Sequence, residues 1–145
     1  MRVDSLRAVT EARLVSIEID ATLRTAAGAF SNPRIGLLVV RDGGGNAAGI
    51  ISKSDIIRHL REVGVTDAPV ADVMIRAVMS CHPEDDLYVT WQKMATLGLQ
   101  NMPVLSTEAK ALGVLDVRDV LKALFEHEEY EERLLINYVS GVGYQ

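Results

Sequence analysis

Two stretches of this 145-residue sequence repeat one phrase 64 residues apart: Gly49-Ile50-Ile51-Ser52-Lys53-Ser54-Asp55 and Gly113-Val114-Leu115-Asp116-Val117-Arg118-Asp119. A serine between a strand and a helix caps that helix, and the free N–H groups of the first turn make a ready anion site. An aspartate three residues on adds two acceptor oxygens for hydroxyl donors. The same Ser-x-x-Asp spacing is also that of a capping box, which needs no ligand, so the phrase alone leaves both readings open. Other chemistry is set aside. His59, His82 and His127 have no metal-ligand spacing with Cys81, and one cysteine cannot supply a structural zinc site. Cys81 and His82 are neighbours on a strand and point to opposite faces, a poor catalytic pair. Asp85-Asp86 opens a helix, where acidic side chains suit the positive dipole end. Gly43-Gly44-Gly45 lies between two strands and reads as a hairpin turn, without the helix a phosphate loop leads into.

The elements that position these residues follow the same 64-residue register. Val9 falls on Val73, Ser16 on Ser80, Leu23 on Leu87, Val40 on Val104 and Leu60 on Leu124. Apolar positions fall on apolar positions throughout, as two copies of one unit require. Each copy reads as strand, helix, strand, strand, helix. In the first, Leu14 to Ile19 alternates as a half-buried strand, and Asp20 opens a helix burying Leu23, Ala26, Ala27 and Phe30. Strands from Ile35 to Val40 and Ala47 to Ile51 flank the glycine turn, and a helix from Ser52 buries Ile56, Ile57 and Leu60. In the second, the stripes are Leu87, Trp91, Met94, Ala95 and Gly98, then Val120, Leu121, Leu124 and Phe125. Strands run over Met102 to Leu105 and Ala111 to Leu115. Tyr130, Leu134 and Tyr138 mark a further amphipathic helix that packs back on its own chain or meets a partner. Neither half has a face large enough for its own core, so the two pack on each other.

Composition narrows the classes. Apolar residues make up 48% of the chain but aromatics only 5%, which suits aliphatic α/β layers. The net charge is -5 and cationic residues are scattered among acidic ones, so nucleic acid is excluded as a partner. The run Glu126 to Glu132 reads as a solvated helix face. The longest apolar stretch, Leu37 to Val40, is too short to cross a bilayer, and Met1-Arg2-Val3-Asp4-Ser5 lacks the apolar core of a signal peptide. With a single cysteine, these features predict a cytoplasmic protein.

The repeated phrase, together with Met102-Pro103-Val104-Leu105 ahead of Gly113 and Val70-Ala71-Asp72-Val73-Met74 opening the second copy, resembles a tandem cystathionine-β-synthase (CBS) domain pair, or Bateman module, over nearly the whole chain. The resemblance implies an α/β (α+β) fold of two tandem β-α-β-β-α repeats packed through their sheets, at residues 1–64 and 65–127, with a C-terminal helix and tail at 128–145. It implies a regulatory, non-catalytic module with no obligatory cofactor, binding an adenosine-containing ligand such as AMP, ADP, ATP or NAD between the repeats. A homodimer is expected. The alternative is a ligand-free dimerisation or protein-interaction module. Carried over residue by residue, the site is Ser52, Lys53 and Asp55 for phosphate and ribose, with Ala71, Arg76, Leu99, Gln100 and Met102 around the base. Family members often carry His or Arg where this chain has Gly36 and Leu37, which moves phosphate charge onto Lys53, Arg76 or the helix N-terminus. A second, weaker cleft is expected at Asp116, Asp119, Ile35 and Gly36. There Asp116 replaces Ser52 and puts a carboxylate where a phosphate would sit. Two like charges about 4 Å apart repel by about 4 kcal/mol at a protein surface, up to about a thousandfold in affinity.

Overall fold

The structure, a computed structural model, describes residues 1–139 except the side chain of Tyr138, so that position and residues 140–145 of the expected tail lie outside the described residues. Helix α1 (Arg7–Ala12), preceded by a 3-10 turn at Val3–Leu6, leads into β1 (Ser16–Glu18). Then follow α2 (Leu23–Ala29), β2 (Leu37–Arg41), β3 (Ala47–Ser52) and α3 (Lys53–Glu62). A second 3-10 turn at Val70–Asp72 opens the second half, which continues as α4 (Leu87–Leu97), β4 (Asn101–Leu105), β5 (Ala111–Asp116) and α5 (Val117–Val139).

Strand pairing repeats in the 64-residue register. In the first copy β1 runs parallel to β2, with Ile17 opposite Val40, and β2 pairs antiparallel with β3, with Val40 opposite Gly49. In the second, β4 and β5 pair antiparallel with Val104 opposite Gly113. The expected opening strand of that copy is reduced to one parallel bridge, Cys81 to Val104. Cys81 donates its N–H to Pro103 and accepts from Leu105 at 3.0 and 2.9 Å. The two sheets meet along a buried seam of Leu37, Val39 and Val114, which gives the layered α/β pair.

Each core is completed by the segment that opens the other copy. Val70 and Met74 are buried in the first copy's core, and Val3 is buried in the second's among Cys81, Leu87 and Met94. Backbone bonds fix both exchanges, with Val3 N–H donating to Asp85 and Leu23 N–H to Ala68, each at 2.9 Å. The crossing is tight enough to require glycine. A Cβ on Gly49 would stand 2.7 Å from Met74 Sδ and 2.9 Å from the Ile75 carbonyl oxygen, and one on Gly113 would stand 2.7 Å from Thr10 Oγ1. Thus the glycine opening each repeated phrase serves chain crossing.

Several sequence expectations are corrected. Asp20 lies in a turn after β1, and Thr22 is the cap of α2, its hydroxyl accepting from Thr25 N–H at 3.3 Å, because the chain must turn before Leu23 can enter the core. Ile57 and Leu60 are exposed, as are Ala27, Ala95, Leu121 and Phe125. On α3 the buried face is Asp55 and Ile56, and on α4 it is Leu87, Thr90 and Met94, so the true stripes are narrower and the flanking apolar residues face away from the sheets. The C-terminal amphipathic stripe is not a separate helix. It continues α5 without a break, since Glu126 to Tyr130 holds no glycine or proline to end it.

Candidate functional site

A cleft of about 780 Å³ opens where the two copies meet, within the range of small-molecule sites. Two helix N-termini converge on it, with Ser52, Lys53, Ser54 and Asp55 at the start of α3 and Asp116, Val117 and Arg118 at the start of α5. Pro33, Gly36, Leu37 and Ile50 come from the first copy, and Ile75 and Gly98 to Asn101 from the second. The α4 helix stops at Gly98, whose left-handed backbone (φ 67°) lets its N–H reach the last-turn carbonyls and turns the chain towards the cleft. At Gly36 the Asn101 side chain fills the space beside the backbone, its amide nitrogen 2.6 Å from where a Cβ would be. Asn101 Oδ1 is buried without a partner.

At the first N-terminus the capping box is formed. Asp55 Oδ2 accepts from Ser52 N–H at 2.8 Å and from Ser52 Oγ at 2.9 Å, and Asp55 N–H donates to Ser52 Oγ at 3.4 Å. Asp55 is buried, and its other oxygen has Arg58 at 3.5 Å. Lys53 Nζ lies 5.9 Å above the Phe30 ring. At the second N-terminus the Asp116 carboxylate is not an uncompensated charge. Arg118 donates to it from its backbone at 2.9 Å and from Nε and Nη2 at 3.0 and 2.9 Å, and Arg13 Nη1 lies 3.6 Å away. Burial pushes the Asp116 pKa up, but these hydrogen bonds and cations outweigh it and hold the carboxyl below its ordinary value. The pair raises Arg118 in turn. The repulsion expected from Asp116 is therefore largely neutralised.

Of the residues expected from sequence, the cleft brings together Ser52, Lys53, Asp55, Leu99, Gln100, Asp116 and Gly36, in one space and not in two separate clefts. Five others do not line it. Met102 is in the second core and Ile35 in the first. Ala71 packs on the first core, and Arg76 bends back to its carbonyl at 3.4 Å. Asp119 accepts from Arg13 Nη2 at 3.1 Å and from its Nε, and the Arg13 pKa is raised chiefly by this bond. Arg118, Ile75 and Asn101 were missed. The signal for Arg118 was its place opposite Ser54 in the register, on a first turn facing the ligand side. Cys81 is buried at an apolar strand position, and burial pushes its thiol up to about 12. Among the described residues no helix is long and apolar enough to cross a membrane.

The family model described as CBS domain matches residues 6–62 and 70–126. An uncharacterized 17.7 kDa protein from Acidianus ambivalens is 23% identical over 135 residues, covering 93% of this chain and 82% of that protein. The L-aspartate semialdehyde sulfurtransferase of Methanosarcina acetivorans is 27% identical over 111 residues, covering 77% of this chain but only 22% of the enzyme. Among solved structures, the CBS domain protein PAE2072 from Pyrobaculum aerophilum, complexed with AMP, superposes with a TM-score of 0.72 at 22% identity, covering 82% of this chain and 89% of the other. The CBS domain pair of protein MJ0100, in complex with 5-methylthioadenosine and S-adenosyl-L-methionine, gives 0.71 at 19% identity, covering 85% and 96%.

Proposed function

The chain belongs to the CBS domain family, and from that premise we propose that it is a regulatory, non-catalytic module binding an adenosine-containing ligand (AMP, ADP, ATP, NAD or an S-adenosyl compound) in the cleft between its repeats. The observation that carries this reading is the capped N-terminus of α3 opening, with Asp55, onto a cleft that both copies line. Similar solved pairs hold AMP in one case and 5-methylthioadenosine with S-adenosyl-L-methionine in another. Free N–H groups and the dipole of α3 suit a phosphate or carboxylate, with Lys53 and Arg118 adding charge. The Asp55 oxygen left outside the capping box accepts a ribose hydroxyl. Leu37, Ile50, Ile75 and Leu99 offer an aliphatic bed for the base. The buried free thiol of Cys81 suits a reducing cytoplasm.

Calorimetric titration with AMP, ADP, ATP, NAD and S-adenosylmethionine tests the reading. Saturable binding of at least one is expected, and Asp55→Ala should weaken it about ten- to hundredfold, the worth of a hydrogen bond to a charged group. A folded protein that binds none of them overturns it.

A second reading, assembly of two copies, is favoured by the helical faces left bare. Tyr88, Leu121 and Phe125 are exposed on the second copy, beside five glutamates between Glu126 and Glu132. On the first copy Ile57 and Leu60 are exposed among Arg24, Arg58 and Arg61. Charge complementarity favours the acidic face of one chain on the basic face of a second, antiparallel copy, since a parallel pairing would oppose the two glutamate runs. With Cys81 replaced by alanine, the single-cysteine variants Ile57→Cys and Leu121→Cys are expected to cross-link only when mixed, from a dimer by sedimentation. Self-cross-linking of each variant alone, or a monomer, overturns this arrangement.

A further inference from the structure

The 64-residue register pairs Arg13 with Ala77, and this pair distinguishes the two halves of the cleft. Arg13 follows α1 on the segment that crosses to the second copy. Its guanidinium reaches Asp119 Oδ1 at 3.1 Å, the Arg34 carbonyl at 2.8 Å and Asp116 Oδ2 at 3.6 Å, and its side chain is only 16% exposed. The counterparts of Asp119, Arg34 and Asp116 in the register are Asp55, Gly98 and Ser52, all three of which line the open cleft. The counterpart of Arg13 itself is Ala77, exposed and with a methyl group in place of a guanidinium. The first half therefore offers open volume and a carboxylate oxygen held only by the exposed Arg58 at 3.5 Å, where the second is filled by the half-buried guanidinium of Arg13.

We infer that Arg13 is a built-in occupant of the second half, closing Asp119 to ligand so that an adenosine-type ligand binds once per chain, at Asp55. The inference rests on the ligand-binding reading above. The guanidinium gives Asp119 the charge-assisted hydrogen bonds that hydroxyl donors of a ligand would give Asp55, and a ligand entering there would have to displace a cation bound to two carboxylates and a carbonyl. The residue type at positions 13 and 77 sets the number of sites.

Ala77→Arg introduces the same cation at the position equivalent to Arg13. Because Ala77 is exposed, this variant is expected to fold. Calorimetry with AMP, and in parallel with S-adenosylmethionine, should give one site per chain in the unmodified protein, at least tenfold weaker binding in Ala77→Arg, and a second site in Arg13→Ala. Undiminished binding by Ala77→Arg overturns the inference, as does a folded Arg13→Ala variant that still binds only once. These results leave the ligand-binding reading standing. Absence of binding in the unmodified protein and in both variants overturns the two together.

Discussion

Gly113→Ala should destabilise the protein by about 2–3 kcal/mol, the cost of forcing a methyl group into a filled space. The added Cβ would lie 2.8 Å from Thr10 Cβ and 2.9 Å from the Thr10 carbonyl carbon. These are fixed parts of α1, so no rotamer change relieves the overlap. Alanine's lower unfolded-state entropy returns about 0.4–1 kcal/mol, which is too little to change the sign. For a chain of this size the melting temperature should fall by roughly 4–12 °C. Gly28→Ala is the control. A Cβ there meets nothing within 4 Å, and the residue lies inside α2, so stability should rise by up to about 1 kcal/mol. Thermal or urea unfolding of the two variants checks both signs, and equal stabilities would refute the crossing as a reason for glycine.

Asp116→Asn should cost about 2 kcal/mol at neutral pH. Its carboxylate is 2% exposed and is bonded by Arg118 and faced by Arg13. Removing one member of a buried pair costs about 3–5 kcal/mol, but the Arg118 side chain is 69% exposed, so water screens part of the loss. Asparagine keeps an oxygen for the Arg118 N–H, so the cap survives. The folded-state pKa lies below the ordinary value. The carboxylate's contribution is therefore complete above the unfolded value of about 3.9 and lost as pH falls through the lower folded value. Urea titrations of Asp116→Asn and the unmodified protein should differ most at neutral pH and converge as pH falls through the lowered folded-state pKa. A gap independent of pH would refute the charge as its source.

The 64-residue register carried most of the fold, because buried strand positions recur with it. Ile17, Val40, Cys81 and Val104 occupy equivalent places in their sheets. The cap at Ser52 was legible because its bonds are local. What spans distance was not. Arg13 and Asp119 are 106 residues apart, and nothing in their neighbours announces the pairing. Ala71 and Arg76 belong to an opening segment whose path over Gly49 decides that Ile75, and not they, faces the cleft. The exposed Ile57, Leu60, Leu121 and Phe125 illustrate another limit. Helical spacing says which residues share a face, while whether that face is covered depends on what lies beyond the helix.

The exchange of opening segments also determines when the chain can become a folded object at all. Val3 leaves the ribosome well before the residues it is buried among, Leu87, Met102 and Leu115. The first copy, although synthesised first, cannot close its core before Val70 and Met74 have emerged. Domain-by-domain folding during synthesis, the usual course for chains with separable units, is thus denied to this one. Its two halves are therefore expected to unfold and refold as a single cooperative body, with a rate set by contacts distant in sequence.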